Sequence, residues 1–120
     1  MNMVTLTLPF PVSANRIWRN GNKRTYISPQ YKAWKDEAFA SYLQQKREAG
    51  TPIKGNFTYH IVLDETRRKV ARDGDNRGKV CLDFLPAVGL IEDDKFADAG
   101  SWSWGPVEKN TCFIRVYSKA

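Results

Sequence analysis

The residues best equipped for chemistry in this chain are acids in two short clusters. Asp73-Gly74-Asp75-Asn76 sets two carboxylates one residue apart, and Glu92-Asp93-Asp94 sets three acids in a row. In an extended segment, residues at i and i+2 project to one side, so Asp73 and Asp75 are expected to converge. Carboxylates that close repel each other unless a cation lies between them, and hard oxygen donors of this kind suit Mg2+ or Mn2+. Gly74 leaves the backbone room for close approach of a ligand or substrate. A calcium loop counted from Asp73 fails, because Arg77 and Phe84 stand where it needs oxygen ligands. Taken alone, the Asp-x-Asp pair also fits a surface loop, and Glu92-Asp93-Asp94 also fits a solvated turn.

Lys79 lies four residues after Asp75 and four before Asp83. On a helix, Lys79 and Asp83 share a face. The bland role is a surface ion pair; the catalytic one is a cation stabilising charge on a scissile phosphate. Other chemistries are poorly served. His60 is the one histidine, sits in a strand pattern and reads as structural. It has no neighbouring Cys or Glu spaced as a zinc site and no motif of a Ser-His-Asp triad. No glycine-rich phosphate loop is present, and no organic cofactor is expected. Cys81 and Cys112 lack paired ligand spacing and read as small core residues with free thiols.

The charge distribution says what such a site could act on. The net charge is +6 and the pI about 9.5, which favours a polyanionic partner. Arg16, Arg19, Lys23, Arg24, Lys32 and Lys35 form an acid-free basic stretch, and Arg67, Arg68, Lys69 and Arg72 a second, with Arg77 close behind. These segments are expected to hold a phosphate backbone without reading bases. Phe10 and Trp18 are candidates to stack on open bases, with core packing the competing role for Phe10. No apolar run approaches the ~20 residues of a membrane helix. The opening Met-Asn-Met-Val-Thr-Leu-Thr-Leu-Pro lacks a basic n-region and a clean apolar stretch, so no signal peptide is read and a cytoplasmic location is expected.

The elements that must position these residues follow from patterning. The 120 residues suit one domain over 1–120. Val4 to Leu8 alternates as a strand, stopped by Pro9 and Pro11. Residues 12 to 28 read as a basic loop with a hairpin across Asn20-Gly21-Asn22. Ser28-Pro29 is a helix start, and Tyr31, Trp34, Ala38 and Tyr42 form an apolar stripe to about Glu48, closed by Gly50 and Pro52. Phe57, Tyr59, Ile61 and Leu63 alternate on a second strand. Arg67 to Asn76 reads as a polar connection, followed by a helix to about Val88 that Pro86 should end or kink near Leu85. Residues around Ser101 to Trp104 and Thr111 to Tyr117 read as two strands joined through Gly105-Pro106. Without a regular βαβ alternation, the expected class is α+β: a small mixed sheet packed against helices.

In order and at this length, several pieces resemble the RusA-type Holliday junction resolvases, small endodeoxyribonucleases often encoded by phages and prophages. They are Leu8-Pro9-Phe10-Pro11-Val12-Ser13-Ala14-Asn15-Arg16, Arg72-Asp73-Gly74-Asp75-Asn76 with Lys79, and Gly89-Leu90-Ile91-Glu92-Asp93-Asp94. The resemblance covers most of the chain. It implies that Asp73, Asp75 and Asp94 are metal-binding catalytic acids and that Lys79 is the catalytic lysine. It gives Asp93, Asp83 and Asn76 supporting places nearby, with Asp93 the further candidate ligand. It also implies a homodimer in the cytoplasm of a bacterial or phage-infected cell, making paired nicks in a four-way DNA junction with Mg2+ or Mn2+. Pro86 and the Trp102-Ser103-Trp104 pair depart from the family's pattern. Two alternatives stay beside this reading: a metal nuclease for other branched DNA, and a junction-binding protein without activity. An Asp-x-Asp glycosyltransferase is more distant, since the chain leaves little room for a nucleotide-sugar domain.

Overall fold

The computed structural model describes residues 2–13, 18–21, 24–68 and 73–119, and for 18–21, 24–26 and 73 the backbone alone. Strand β1 (Met3–Pro9) and the hairpin β2 (Trp18–Gly21) and β3 (Arg24–Ile27) precede helix α1 (Pro29–Gln45). Strand β4 (Phe57–Asp64), helix α2 (Asp73–Ala87), and strands β5 (Ala97–Gly105) and β6 (Thr111–Ser118) follow. Short 3-10 turns at Glu65–Arg67 and Asp94–Phe96 stand before α2 and β5.

Four strands form one sheet in the order β1-β6-β4-β5. The pairs β1/β6 and β4/β6 are antiparallel, and β4/β5 is parallel. The sheet is therefore mixed, as expected for an α+β domain. The parallel pair with α2 between its strands is a single βαβ unit, which the sequence pattern did not announce. A parallel connection needs a long crossover, and α2 is that crossover.

Alternation along the strands puts Val4, Leu6, Leu8, Phe57, Ile61, Leu63, Cys112, Ile114 and Val116 on one buried face. Both helices pack there, contributing Trp34, Ala38 and Tyr42 from α1 and Val80, Cys81, Phe84 and Leu85 from α2. The Trp34 indole N–H donates to the Pro9 carbonyl at 2.9 Å, tying α1 to the end of β1. Cys81 and Cys112 are buried free thiols with sulfurs 3.3 Å apart, joining α2 to β6.

Helix ends follow local chemistry. The Ser28 hydroxyl accepts the Tyr31 N–H at 3.2 Å, with Pro29 in the first turn, satisfying an orphan donor. The helix stops at Gln45, a little before the expected Glu48. Gln45 then exchanges side-chain bonds with the Thr7 N–H and carbonyl, at 2.8 and 2.6 Å, and so covers the outer edge of β1. Pro86 does not break α2 at Leu85; the helix continues to Ala87. Gly89 at φ 79° then closes it, with Gly89 N–H to Pro86 O at 3.1 Å and Leu90 N–H to Leu85 O at 3.0 Å. This paired capping pattern absorbs the last carbonyls, so the proline falls where the helix is already ending. The hairpin expected near Asn20 is present, its strands bracketing residues 22–23, which lie outside the described residues.

Candidate active site

Helix α2 begins at Asp73, so Asp73 and Asp75 do not share an extended segment as their spacing suggested. On a helix, residues two apart lie about 200° apart around the axis. Acids are favoured at a helix N-terminus, where unpaired N–H groups and the helix dipole attract negative charge, and this stabilises helix over loop at Asp73. Gly74 is required for another reason: a Cβ there would collide with the Trp102 indole. The first turn of α2 thus rests directly on β5. Trp102, an oddity in the sequence, is the floor under the Asp-x-Asp pair.

From Asp75 the helix presents Asp75, Lys79 and Asp83 on one face. Lys79 pairs with Asp75 at 3.7 Å, both about 63% exposed. Its partner is therefore the preceding acid rather than Asp83. Asp83 turns to the second cluster, hydrogen-bonded to Asp94, which in turn is bonded to Asp93. Partial burial, and then the charge and hydrogen bond of Asp94, raise the Asp83 carboxyl. The Asp93 hydrogen bond, partial burial and the Asp93 charge raise Asp94. Asp93 itself is lowered, first by accepting the Lys95 N–H and then by the Asp94 hydrogen bond. That bond to Lys95, at 2.9 Å, makes Asp93 the cap of the turn that carries Asp94.

Asp83 of α2 thus stands beside the second acid cluster. Tyr59 on β4 lies near enough to both Asp75 and Asp94 to be affected by each. Burial first, then the carboxylates of Asp75 and Asp94, raise its phenol above the ordinary 10.0. Carboxylates crowded this closely suit a hard divalent cation. Among the described residues, no group of three His, Cys, Asp or Glu side chains is already arranged to hold a metal ion. The side chain of Asp73, one of the three expected ligands, is outside that description.

A cationic assembly lies at the same end of α2. Arg67 and Arg77 set their guanidinium carbons 4.6 and 5.0 Å from the centre of the Phe10 ring. Phe10 also stacks on Trp104 at 6.3 Å. Arg67 donates to the Asn110 side chain at 2.9 Å and Arg77 to the Pro11 carbonyl at 2.6 Å. Phe10 is thus surrounded by cations and Trp104, which leaves little of its ring to stack on a base. Arg68 is exposed, Arg19 and Arg24 lie along β2 and β3, and Arg16, Lys23, Lys69 and Arg72 lie outside the described residues. The same holds for the side chain of Trp18, the other stacking candidate. His60 holds a structural place, bonded to Ser101 and Ser103 across β4 and β5 at 2.6 and 3.0 Å.

Sequence reasoning gave no role to Tyr59 or Asn110. The alternation of β4 marked Tyr59 only as a strand residue, and Asn110 carried no pattern at all.

Comparison with known proteins bears on this geometry. A family model described as Endodeoxyribonuclease RusA matches residues 9–116. Proteins named Crossover junction endodeoxyribonuclease RusA are similar over 94 residues, 78% of this chain and 76% of theirs. Identity is 33% for the protein of Shigella sonnei strain Ss046 and 32% for that of Escherichia coli strain K12. The relative from Enterobacteria phage 82 is 33% identical over the same length.

Proposed function

This chain belongs to the RusA family of endodeoxyribonucleases, and from that premise we propose how it cuts DNA. It is an endodeoxyribonuclease that resolves four-way junctions by hydrolysing phosphodiester bonds. The observation that carries the site assignment is that Asp75 and Asp94 both act on the Tyr59 phenol, with Asp83 of α2 beside Asp94.

Asp73, Asp75 and Asp94 would hold Mg2+, for which Mn2+ is the natural substitute, with Asp93 as a neighbouring oxygen donor. Bound there, the ion would supply activation of the attacking water and positive charge toward the leaving oxygen. Lys79, tethered to Asp75, supplies positive charge where the scissile phosphate becomes more negative. Asp93 keeps the Asp94 turn in place by capping it. Arg67 and Arg77 grip the neighbouring backbone phosphates, with Arg19, Arg24 and Arg68 extending the track alongside Arg16, Lys23, Lys69 and Arg72. No histidine base is needed, in keeping with His60 being occupied by serines. The protein works as a homodimer in the bacterial cytoplasm, where its substrate lies.

The test is cleavage of a synthetic four-way junction by wild type and Asp75→Asn, with and without Mg2+. Wild type should make paired nicks only with the metal. Asp75→Asn should lose at least about 100-fold in rate while binding the junction normally, because no DNA-binding cation is removed. A variant that cuts at the normal rate in Mg2+ sinks the assignment. Flap and linear duplex substrates in the same assay separate junction resolution from a broader branched-DNA activity.

A further inference from the structure

We propose that Tyr59 is a catalytic residue, its phenol hydroxyl donating a hydrogen bond to a non-bridging oxygen of the scissile phosphate. The inference rests on the nuclease reading above and adds to it a group on a different element from the acids.

Three independent placements lead there. The first is register: Tyr59 pairs with Gly100 on the parallel strand β5, and in-register parallel residues project to one face. The second is the glycine. The Tyr59 ring lies across Gly100, where any Cβ would collide with it and would stand 2.6 Å from the hydroxyl oxygen. Because β5 is the outer strand of the sheet, a ring that crosses Gly100 carries its hydroxyl to the sheet's edge rather than into the core. The third is what waits at that edge. Asp94 opens the turn leading into β5, before Gly100, and Gly74, beside Asp75, rests on Trp102, just after it. Tyr59 is thus bracketed along β5 by the two acids, and both carboxylates act on its phenol.

A neutral phenol is the right group for this place. It adds no negative charge to a site already crowded with carboxylates, and it donates a hydrogen bond where phosphate charge grows in the transition state. Tyrosine is protonated at neutral pH even at its ordinary value, so the role does not depend on any shift. The neighbours of Gly100 along that edge offer no free neutral donor: Ala99 has no polar side chain, Asp98 is an acid engaged with Asn56 and Lys119, and Ser101 is engaged with His60 on the opposite face.

Tyr59→Phe keeps the ring over Gly100 and removes only the hydroxyl. Single-turnover cleavage in Mg2+ should slow about tenfold or more, with junction affinity measured without divalent metal within twofold of wild type and an unchanged melting temperature. Gly100→Val, which pushes the ring off the edge, should slow cleavage at least as much; its junction binding checks that it still folds. The inference is overturned if wild type cuts and Tyr59→Phe cuts as fast, or if Tyr59→Phe loses affinity in proportion to rate. If wild type cuts only another branched DNA, the same comparison is made on that substrate and decides in the same way. A wild type that cleaves no DNA with Mg2+ or Mn2+ rejects the nuclease reading, and this inference with it.

Discussion

Phe10 gathers two arginines and a tryptophan around one ring. Two guanidinium groups around one ring repel each other, and attraction to the ring face offsets part of that, at about 0.5–2 kcal/mol per cation–π contact. A phosphate drawn to both would offset the rest. Phe10→Leu keeps an apolar side chain and the net charge but loses the π face. Junction binding should weaken about fivefold, the equivalent of about 1 kcal/mol. Arg67→Gln should weaken it by a similar factor. In the double variant the losses should combine to less than their product, because both remove one assembly. Normal affinity in Phe10→Leu, measured by gel shift at fixed salt, would show that the arginines need no aromatic support. The expectation that Phe10 stacks on bases came from its type alone; which groups cover its ring depends on contacts between β1, the turn after β4, and α2, and no spacing in the sequence records them.

At the scale of elements, the junction of β4, β6 and the Arg67 turn is held by one buried carboxylate. Asp64 accepts the Asn110 N–H at 2.6 Å and the Thr66 N–H and hydroxyl at 2.9 and 2.8 Å. Asn110 takes the left-handed conformation, φ 63°, which asparagine tolerates better than most residues. It also accepts from the Phe10 N–H at 2.9 Å, so the ends of β1, β4 and β6 meet there. The Asn110 N–H, more than any other contact, holds Asp64 below its ordinary 3.8; the Thr66 bonds and Arg67 add to this, and burial opposes it. A depressed native value stabilises the fold only while the carboxylate is charged. The contribution is complete above about pH 4 and is lost as the pH falls through the native value. Asp64→Asn should therefore melt several degrees below wild type at neutral pH, and that gap should shrink on acidification below about pH 4. A gap that is constant or widens in acid, in melts followed by circular dichroism, would falsify the account. Local signals made α1 readable: a serine cap, a proline and a stripe at helical spacing all fix its start and buried face. The start of α2 was not readable, because Asp-Gly-Asp-Asn is turn-like in isolation. Only the Trp102 floor and the helix dipole favour a helix there. The meeting of Asp83 with Asp94 and the crossing of Tyr59 over Gly100 likewise follow from the parallel pairing of β4 and β5, a tertiary choice that no short motif encodes.

At the scale of the whole molecule, the question is how one acidic site per chain resolves a junction that needs two cuts. The site proposed around Asp73, Asp75, Asp94 and Lys79 hydrolyses one strand at a time. Symmetric resolution then needs two copies related by a two-fold axis, each presenting its site to one of two opposing strands. The basic surface favours the same assembly, since each chain brings its own excess of +6 charge to a junction whose arms are dense in phosphate. Mixed dimers make the idea measurable. If wild-type and Asp75→Asn chains are co-expressed with different tags and the hybrid is isolated, it should bind a cruciform plasmid as wild type does. It should convert that plasmid mainly to the singly nicked circle, whereas the wild-type dimer should linearise it. Linear product from the hybrid at the wild-type rate would mean that one site makes both cuts, and a protein that sediments as a monomer when bound to the junction would remove the need for a partner altogether.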